Sequence, residues 1–375
     1  MRVAYDARPL TVPRTGIGRY VHGILDALLA RPELEQILLC SPREVKTGEA
    51  LARDPRVKRL IQKGWKGNIW LQAVLPFFLE KQGIDLFHAT LFLLPLLYRY
   101  RAVINLYDLT VYRYPQSMEW KNRWILRAFL PRSVNIARKI VTLSDFTRRE
   151  IECRWPESQG KVVVIPGAPS LGSDAPPGNP VCGADADRIL RRYGVQRPYI
   201  LYVGTVEPRK NIGKMLDAYC HLRKMGVKSH QMVLAGPPGW GLREILRSME
   251  RSDVRPYLKW LGYVPDGDLV VLYEQAELFL YLSFYEGFGF PPLEAMASGT
   301  CVVAANRGSM PECLGNAAVL VDPFNTNSIA ENMVMLIKHE DMRMEYVHRG
   351  FEHCTRFSWE KSADKTLGLY RELLA

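Results

Sequence analysis

Two acidic side chains, Glu286 and Glu294, stand eight positions apart in the segment Glu286-Gly287-Phe288-Gly289-Phe290-Pro291-Pro292-Leu293-Glu294. Gly287 and Gly289 open backbone conformations barred to other residues, so successive N–H groups can face an anion. Pro291 and Pro292 suit the first turn of a helix, where a missing N–H costs nothing, and Leu293 to Ala297 continues it. The partial positive charge at a helix start favours a diphosphate, and two carboxylates left free would accept hydrogen bonds from hydroxyl groups. By spacing alone the two glutamates read equally well as a solvated surface pair.

The elements that must position them alternate short β-rich runs with helical patterns, which implies parallel sheets covered by helices. In the first half, strands are expected at 3–5, 36–39, 86–88, 102–105, 139–142 and 162–165, with helices near 16–30, 68–82, 119–137 and 145–154. Residues 169–180, rich in Pro and Gly, read as a linker extending to 184. Beyond a helix near 185–193, strands are expected at 199–204, 232–236, 258–262, 278–281, 301–304 and 318–321. The reading is an α/β chain of two Rossmann-like domains, 1–168 and 185–357, whose sheets face across a cleft. A last helix over 358–375 crosses back to the first domain. Open sheets of this kind bind ligands at their carboxyl edge.

At 375 residues the chain is long enough for two domains that each bury a core. No apolar run approaches the ~20 residues of a membrane span, and Met1 to Asp6 reads as a strand with no signal-peptide core. Seven cysteines, an odd number without a CxxC pair, read as reduced thiols of a cytoplasmic protein. The seven histidines form no metal-ligand pattern, so no protein-bound metal is expected. The net charge of +11 is one-sided: residues 1–168 hold 27 Lys and Arg against 15 Asp and Glu, residues 169–375 hold 23 against 24. Such an excess suits contact with something acidic, such as a lipid surface or a lipid diphosphate. Surface solubility is the plainer alternative.

Four segments in order carry a resemblance: Thr15-Gly16-Ile17-Gly18-Arg19-Tyr20, then Val203-Gly204-Thr205-Val206-Glu207-Pro208-Arg209-Lys210-Asn211, then Leu261-Gly262-Tyr263-Val264, then Glu286 through Gly299. Nearly end to end, the chain resembles the GT-B retaining glycosyltransferases, the large family that includes sucrose synthase and bacterial mannosyl- and glucosyltransferases. The resemblance implies that Lys210 contacts the donor diphosphate with Arg209 beside it, and that Gly16 and Gly18 let backbone approach it. It implies that Glu294 binds the ribose hydroxyls, that Glu286 lies by the donor sugar, and that the backbone around Tyr263 and Val264 holds the base. Glu286, Lys210 and Arg209 are then the catalytic residues, and Thr205, Gly287, Phe288 and Gly289 join the donor-binding set. Without the motif, an Arg-Lys pair at a helix start is ordinarily solvated.

Thr205 stands where many relatives carry arginine, and Tyr107 stands before Asp108 where many carry histidine. Tyr107 and Asp108 are expected on the donor-sugar or acceptor side, with the Tyr107 hydroxyl able to donate a hydrogen bond. The resemblance implies a retaining, metal-independent hexosyl transfer in which the leaving phosphate assists deprotonation of the acceptor. No cofactor is implied beyond a GDP- or UDP-sugar co-substrate, with mannose from GDP-mannose favoured by the motif style. The acceptor is expected to be a glycan or lipid-linked glycan of surface polysaccharide biosynthesis. Contact with an anionic membrane is expected through the basic first domain, where Trp120, Arg123, Trp124, Arg127 and Arg132 interleave. Core packing is the other reading of those aromatics, as it is for the apolar run from Trp70 to Phe78. Localisation follows as cytoplasmic, at the inner face of the membrane. The alternatives are a nucleotide-sugar 2-epimerase on the same fold and a basic nucleic-acid-binding protein, the latter without any supporting motif. Lys210→Ala is expected to cost turnover and leave folding almost unchanged.

Overall fold

Short runs of β-branched and aromatic residues, buried on both faces as covered parallel strands require, build two all-parallel sheets. The computed structural model describes residues 1–12, 16–97, 101–170, 183–251 and 253–375. The chain divides into two units, one of Met1–Arg113, Trp120–Ala168 and Ser358–Ala375, the other of Tyr114–Glu119 and Pro169–Phe357.

The first unit holds β1 (Arg2–Asp6), β2 (Gln36–Ser41), β3 (Val57–Ile61), β4 (Leu86–Ala89), β5 (Ala102–Asn105), β6 (Lys139–Thr142) and β7 (Val162–Val164). Their order is β3-β2-β1-β4-β5-β6-β7. The second holds β8 (Tyr199–Val203), β9 (Gln231–Ala235), β10 (Leu258–Trp260), β11 (Leu278–Tyr281), β12 (Cys301–Ala305) and β13 (Val319–Val321), in the order β10-β9-β8-β11-β12-β13. Each is an α/β Rossmann-like sheet whose strand order reverses beside its first strand, between β1 and β4 and between β8 and β11. Chain leaving the carboxyl ends of those two strands goes to opposite faces of the sheet, and the crevice this opens is where such folds take ligands.

The C-terminal helix Trp359–Leu374 packs on the first helix, Gly16–Leu29. Gly23 makes room for it: a Cβ there would lie 2.5 Å from the Trp359 ring. Ser358 starts that helix by accepting from the Lys361 N–H, which satisfies one of the orphan donors of the first turn.

Two elements differ from the sequence reading. The edge strand β3 was not expected, because Lys58 and Arg59 face solvent and break the apolar run. The helix expected near 68–82 is four short helical pieces, with a π turn at Trp70–Val74 ahead of Leu75–Leu79. Pro76, which has no N–H to return to the preceding turn, accounts for the break. Trp70 and Leu71 are core as expected, yet Phe77 is 63% and Phe78 41% exposed, so the core reading fails for the end of that run. Trp120 and Trp124 are also exposed, at 61% and 66%, on the Trp120–Ile136 helix. Among the described residues no helix is long and apolar enough to cross a membrane. Thr15, Cys182 and most of the expected linker lie outside the described residues.

Candidate active site

The loops leaving β8 and β11 meet at the reversal point of the second sheet. Beyond β8, Gly204 reaches φ +150° and Gly236 of the neighbouring β9 loop reaches +153°; a Cβ on Gly236 would lie 1.9 Å from the Gly204 carbonyl oxygen. Only glycine lets these two backbones touch. The Gly236 N–H donates to the Gly262 carbonyl at 2.7 Å, which ties the Tyr263–Val264 turn to the same edge. Tyr263 is 48% exposed there, while Val264 is buried.

Past this cradle, Asn211 adopts a left-handed φ of 61° and its side-chain amide donates to the Pro323 carbonyl at 3.0 Å. That kink ends the short turn Pro208–Lys210, starts the Ile212–Lys224 helix, and turns Lys210 inward. The Lys210 ammonium donates to the Glu286 carboxylate at 2.5 Å and to the Tyr281 hydroxyl at 2.8 Å. Arg209 pairs with Glu286 at 3.0 Å and with Glu207 at 2.8 Å, and donates to the Tyr285 carbonyl. Glu286 Oε1 also accepts from Ser283 at 2.5 Å and from Tyr281 at 3.0 Å. Arg209, Lys210 and Glu286 are thus one cluster around the buried Lys210, with Arg209 and Glu286 partly exposed, and with Glu207 its formal charges cancel.

Desolvation alone would push the Glu286 carboxyl up; Arg209 and Lys210, with the hydrogen bonds from Lys210 and Ser283, outweigh it and hold the group at about 2. Burial pulls the Lys210 pKa below the ordinary lysine value, with Glu286 opposing the fall and Arg209 adding to it. The Glu286 carboxylate in direct contact favours the charged form of Lys210 against that desolvation. Tyr202 and Tyr281, stacked with ring centroids 6.0 Å apart, are raised well above 10 by burial and by the nearby Glu286, so both remain neutral phenols.

Several sequence expectations change. Neither glutamate is left free, since Glu286 is held by four side chains and Glu294, 1% exposed, accepts from Tyr273 at 3.1 Å. Gly289 does not need a conformation closed to other residues, as its φ is −136°. It needs space, because a Cβ would lie 2.9 Å from the Met310 methyl. The positive-φ glycine of this loop pair is Gly308 (φ +61°), whose ideal Cβ position is 3.0 Å from the Glu286 backbone; the neighbouring Ser309 N–H donates to the Glu286 carbonyl at 3.1 Å. Phe288, expected in the donor-binding set with Gly287, is buried against Phe290 and Phe357. The Thr205 carbonyl accepts from Tyr202 at 3.0 Å.

In the first unit Gly16 opens the first helix and is exposed, with Gly18 buried two residues on. Tyr107 does not present its hydroxyl. That group accepts from Asn105 and donates to the Thr90 carbonyl, both at 2.9 Å, with its ring between Tyr20 and Phe92. Asp108 accepts from the Thr110 N–H at 2.8 Å, a turn that starts the Thr110–Arg113 helix. Three polar features here were missed. Arg8 grips the fully buried Asp6 through two nitrogens, and His88 bridges Asn105 at 2.7 Å and Tyr370 at 2.5 Å. Tyr5 completes the chain to Tyr370 at 2.8 Å. The partners of His88 and Tyr5 lie up to 365 positions apart, so no local pattern announces them, whereas Asp6 and Arg8 are two positions apart and were simply passed over.

The family model for glycosyl transferases group 1 matches residues 187–353, and that for glycosyltransferase family 4 matches residues 14–168. The O-antigen chain mannosyltransferase B of Escherichia coli is 30% identical over 392 residues, an alignment covering 100% of both chains. The chain belongs to the group 1 glycosyl transferases. Its fold is that of solved GT-B glycosyltransferases: sucrose-phosphate synthase from Thermosynechococcus elongatus aligns over 99% of this chain and 98% of its own, with a TM-score of 0.77 at 20% identity. HepE of Anabaena, solved in complex with UDP-glucose, aligns over 99% and 100%, with a TM-score of 0.76 at 16% identity. In this glycosyltransferase, Arg209, Lys210, Glu286 and Glu294 all fall inside the group 1 match, and Tyr107 and Asp108 inside the family 4 match. Among the described residues no three His, Cys, Asp or Glu side chains gather as metal ligands would.

Proposed function

We propose that this glycosyltransferase transfers mannose from GDP-mannose to a glycan or lipid-linked glycan acceptor with retention of configuration. The observation that carries the reading is the buried Lys210, held with Arg209 and Glu286 at the reversal point of the second sheet. A departing nucleoside diphosphate gains negative charge, and a preoriented ammonium in a low-dielectric site stabilises that charge without reorganising. Lys210 and Arg209 take this role with no metal ion. Glu294 grips the ribose once the donor displaces its local partners, the turn at Tyr263 and Val264 holds the base, and Glu286 sits beside the sugar. The leaving phosphate takes the acceptor proton on the face that it vacates.

Mannose is favoured by the E. coli relative, an O-antigen chain mannosyltransferase. The HepE complex supports a nucleotide sugar and leaves the base open between uridine and guanosine. Thermal shift against GDP-mannose, UDP-glucose and UDP-galactose decides the donor: at 100 times its dissociation constant a ligand adds about 2.7 kcal/mol to stability. Stabilisation by the uridine sugars alone overturns GDP-mannose. NMR of the product gives the anomeric configuration, and an inverted linkage overturns retention. Loss of turnover in EDTA, restored by a divalent cation, overturns the metal-free reading.

The exposed Trp120 and Trp124, interleaved with Lys121, Arg123 and Arg127, support docking of the first unit on an anionic bilayer at the cytoplasmic face of the membrane. Co-sedimentation with phosphatidylglycerol vesicles at low salt, lost when Arg123, Arg127 and Arg132 are neutralised together, is the expected result. No sedimentation at low salt makes the charge a solubility feature.

A further inference from the structure

Among the described residues Tyr281, the last residue of β11, is the one hydroxyl hydrogen-bonded to both members of the central ion pair. It accepts from the Lys210 ammonium at 2.8 Å and donates to Glu286 Oε1 at 3.0 Å. The ring cannot drift, being buried and stacked between Tyr202 and Phe279 at 6.0 Å on either side.

An ammonium has three N–H bonds and no directional preference about its stem. Glu286 takes one and Tyr281 a second, and two fixed acceptors in different directions determine where the third points. Without the hydroxyl, Lys210 keeps a single strong partner and is free to turn about that contact. We propose that Tyr281 is a positioning residue that holds Lys210 charged and aims its remaining N–H at the departing diphosphate. The claim rests on the transferase reading above, and it assigns to a strand residue outside the motifs the work of orienting the motif lysine.

The other charged and titratable groups facing the pair are Arg209 and Glu207 from the β8 loop and Tyr202 from β8. The β12 loop contributes backbone at Ser309, and its charged member Arg307 lies over the Phe324 ring. Ser283 donates to the same Glu286 oxygen, and its hydroxyl accepts no hydrogen bond from Lys210. Tyr281→Phe and Ser283→Ala therefore each remove one donor to Glu286, and only the first removes an acceptor from Lys210.

The test follows the Lys210 Nζ titration by NMR in full-length protein carrying 15N-lysine, with the resonance assigned by its absence in Lys210→Arg. Tyr281→Phe should lower the Lys210 pKa, because the lost acceptor favoured the charged form, and Ser283→Ala should not lower it. In turnover assays Tyr281→Phe should reduce kcat about tenfold with donor KM within twofold, and the alkaline limb of kcat should move to lower pH. A purely structural tyrosine would lower the melting temperature and leave that limb in place. An unmoved Lys210 titration in Tyr281→Phe overturns the proposal whatever the turnover, and so does a loss seen only in KM. Should the parent protein transfer no hexose at all, the transferase reading falls, and the titration still decides what Tyr281 does to Lys210.

Discussion

The two sheets reverse strand order in the same way and fill the resulting edge with opposite chemistry. At β8 and β11 the edge carries four formal charges that cancel within one cluster, Glu207, Arg209, Lys210 and Glu286. At β1 and β4 the central polar groups are the neutral chain Tyr5, Tyr370, His88, Asn105 and Tyr107, with Asp6 and Arg8 paired at the β1 exit. A neutral chain satisfies its hydrogen bonds and fixes the C-terminal helix to the sheet. A charged cluster that balances only by internal pairing is open to exchange, because an incoming diphosphate can replace a carboxylate as the partner of a cation. Topology is common to the two edges, and it is the electrostatics that support the proposal of the charged one as the site of chemistry.

The largest effect expected from breaking this contrast is Lys210→Ala. A lysine ~4 Å from a leaving phosphate is worth roughly 4 kcal/mol at an effective dielectric near 20. The part realised in the transition state predicts a turnover loss on the order of 100-fold to 1,000-fold. Folding should also suffer, contrary to the expectation from sequence alone, since Lys210 is buried and its removal leaves Glu286 dependent on Arg209. Breaking a buried pair costs up to about 3–5 kcal/mol, and the remaining arginine should keep the loss below that. Steady-state kcat with matched melting curves checks both, and an enzyme within threefold of the parent rules out the phosphate role.

Acid should weaken the two units in sequence. Burial lowers the His88 pKa to about 4, so the unfolded chain takes up that proton near pH 6.5 and the folded chain only near 4. The stability held by neutral His88 is complete above about pH 6.5 and is lost as pH falls toward 4, up to about 3 kcal/mol. Glu286, held at about 2, contributes stability present above its unfolded pKa of about 4.5 and lost only as pH falls from there toward 2. The melting temperature of the parent should therefore already drop between pH 6.5 and 4. His88→Gln should flatten that segment of the curve. An unchanged slope in the variant would assign the mild-acid loss to other groups.

The two glutamates of the motif should separate by kinetics. Glu294→Gln should weaken donor affinity by about tenfold, the scale of one charge-assisted hydrogen bond to a ribose hydroxyl. Glu286→Gln should lower kcat, because it disturbs Lys210 directly. Isothermal titration with the donor and steady-state kinetics measure the two, and equal loss of affinity in both variants abolishes the division of roles.

What the sequence disclosed of this site was its local part. Glycine, proline and acid spacing from Glu286 to Glu294, and the Arg209-Lys210 pair after an apolar strand, are contiguous patterns, and the structure joins Arg209, Lys210 and Glu286. The alternating strands were legible for the same reason, whereas β3 was not, because Lys58 and Arg59 expose the edge. Ser283 and Gly308 were passed over because the contacts they make cross between loops rather than run along the chain. Exposure was illegible too. Trp120, Trp124 and Arg127 have the spacing of a buried helix face, yet the two tryptophans are exposed.

Tyr107→Phe carries the smallest expected effect and bears most directly on the contrast between the two edges. From the sequence, Tyr107 stands where relatives carry a sugar-contacting histidine, which made its hydroxyl a candidate donor to the hexose. In the structure that hydroxyl is already committed, accepting from Asn105 and donating to the Thr90 carbonyl, and the ring is buried between Tyr20 and Phe92. Replacing it with Phe removes one buried hydroxyl and leaves the Thr90 carbonyl and one Asn105 N–H short of a partner, a loss of about 1–2 kcal/mol in folding stability. Donor affinity and kcat should stay within twofold, since both hydrogen bonds of the Tyr107 hydroxyl are made to Asn105 and Thr90 within the first unit. Denaturant unfolding and donor titration on the same preparation separate the two possibilities. A stable variant with a tenfold loss in kcat would return Tyr107 to the sugar and show that the neutral edge also takes part in the chemistry.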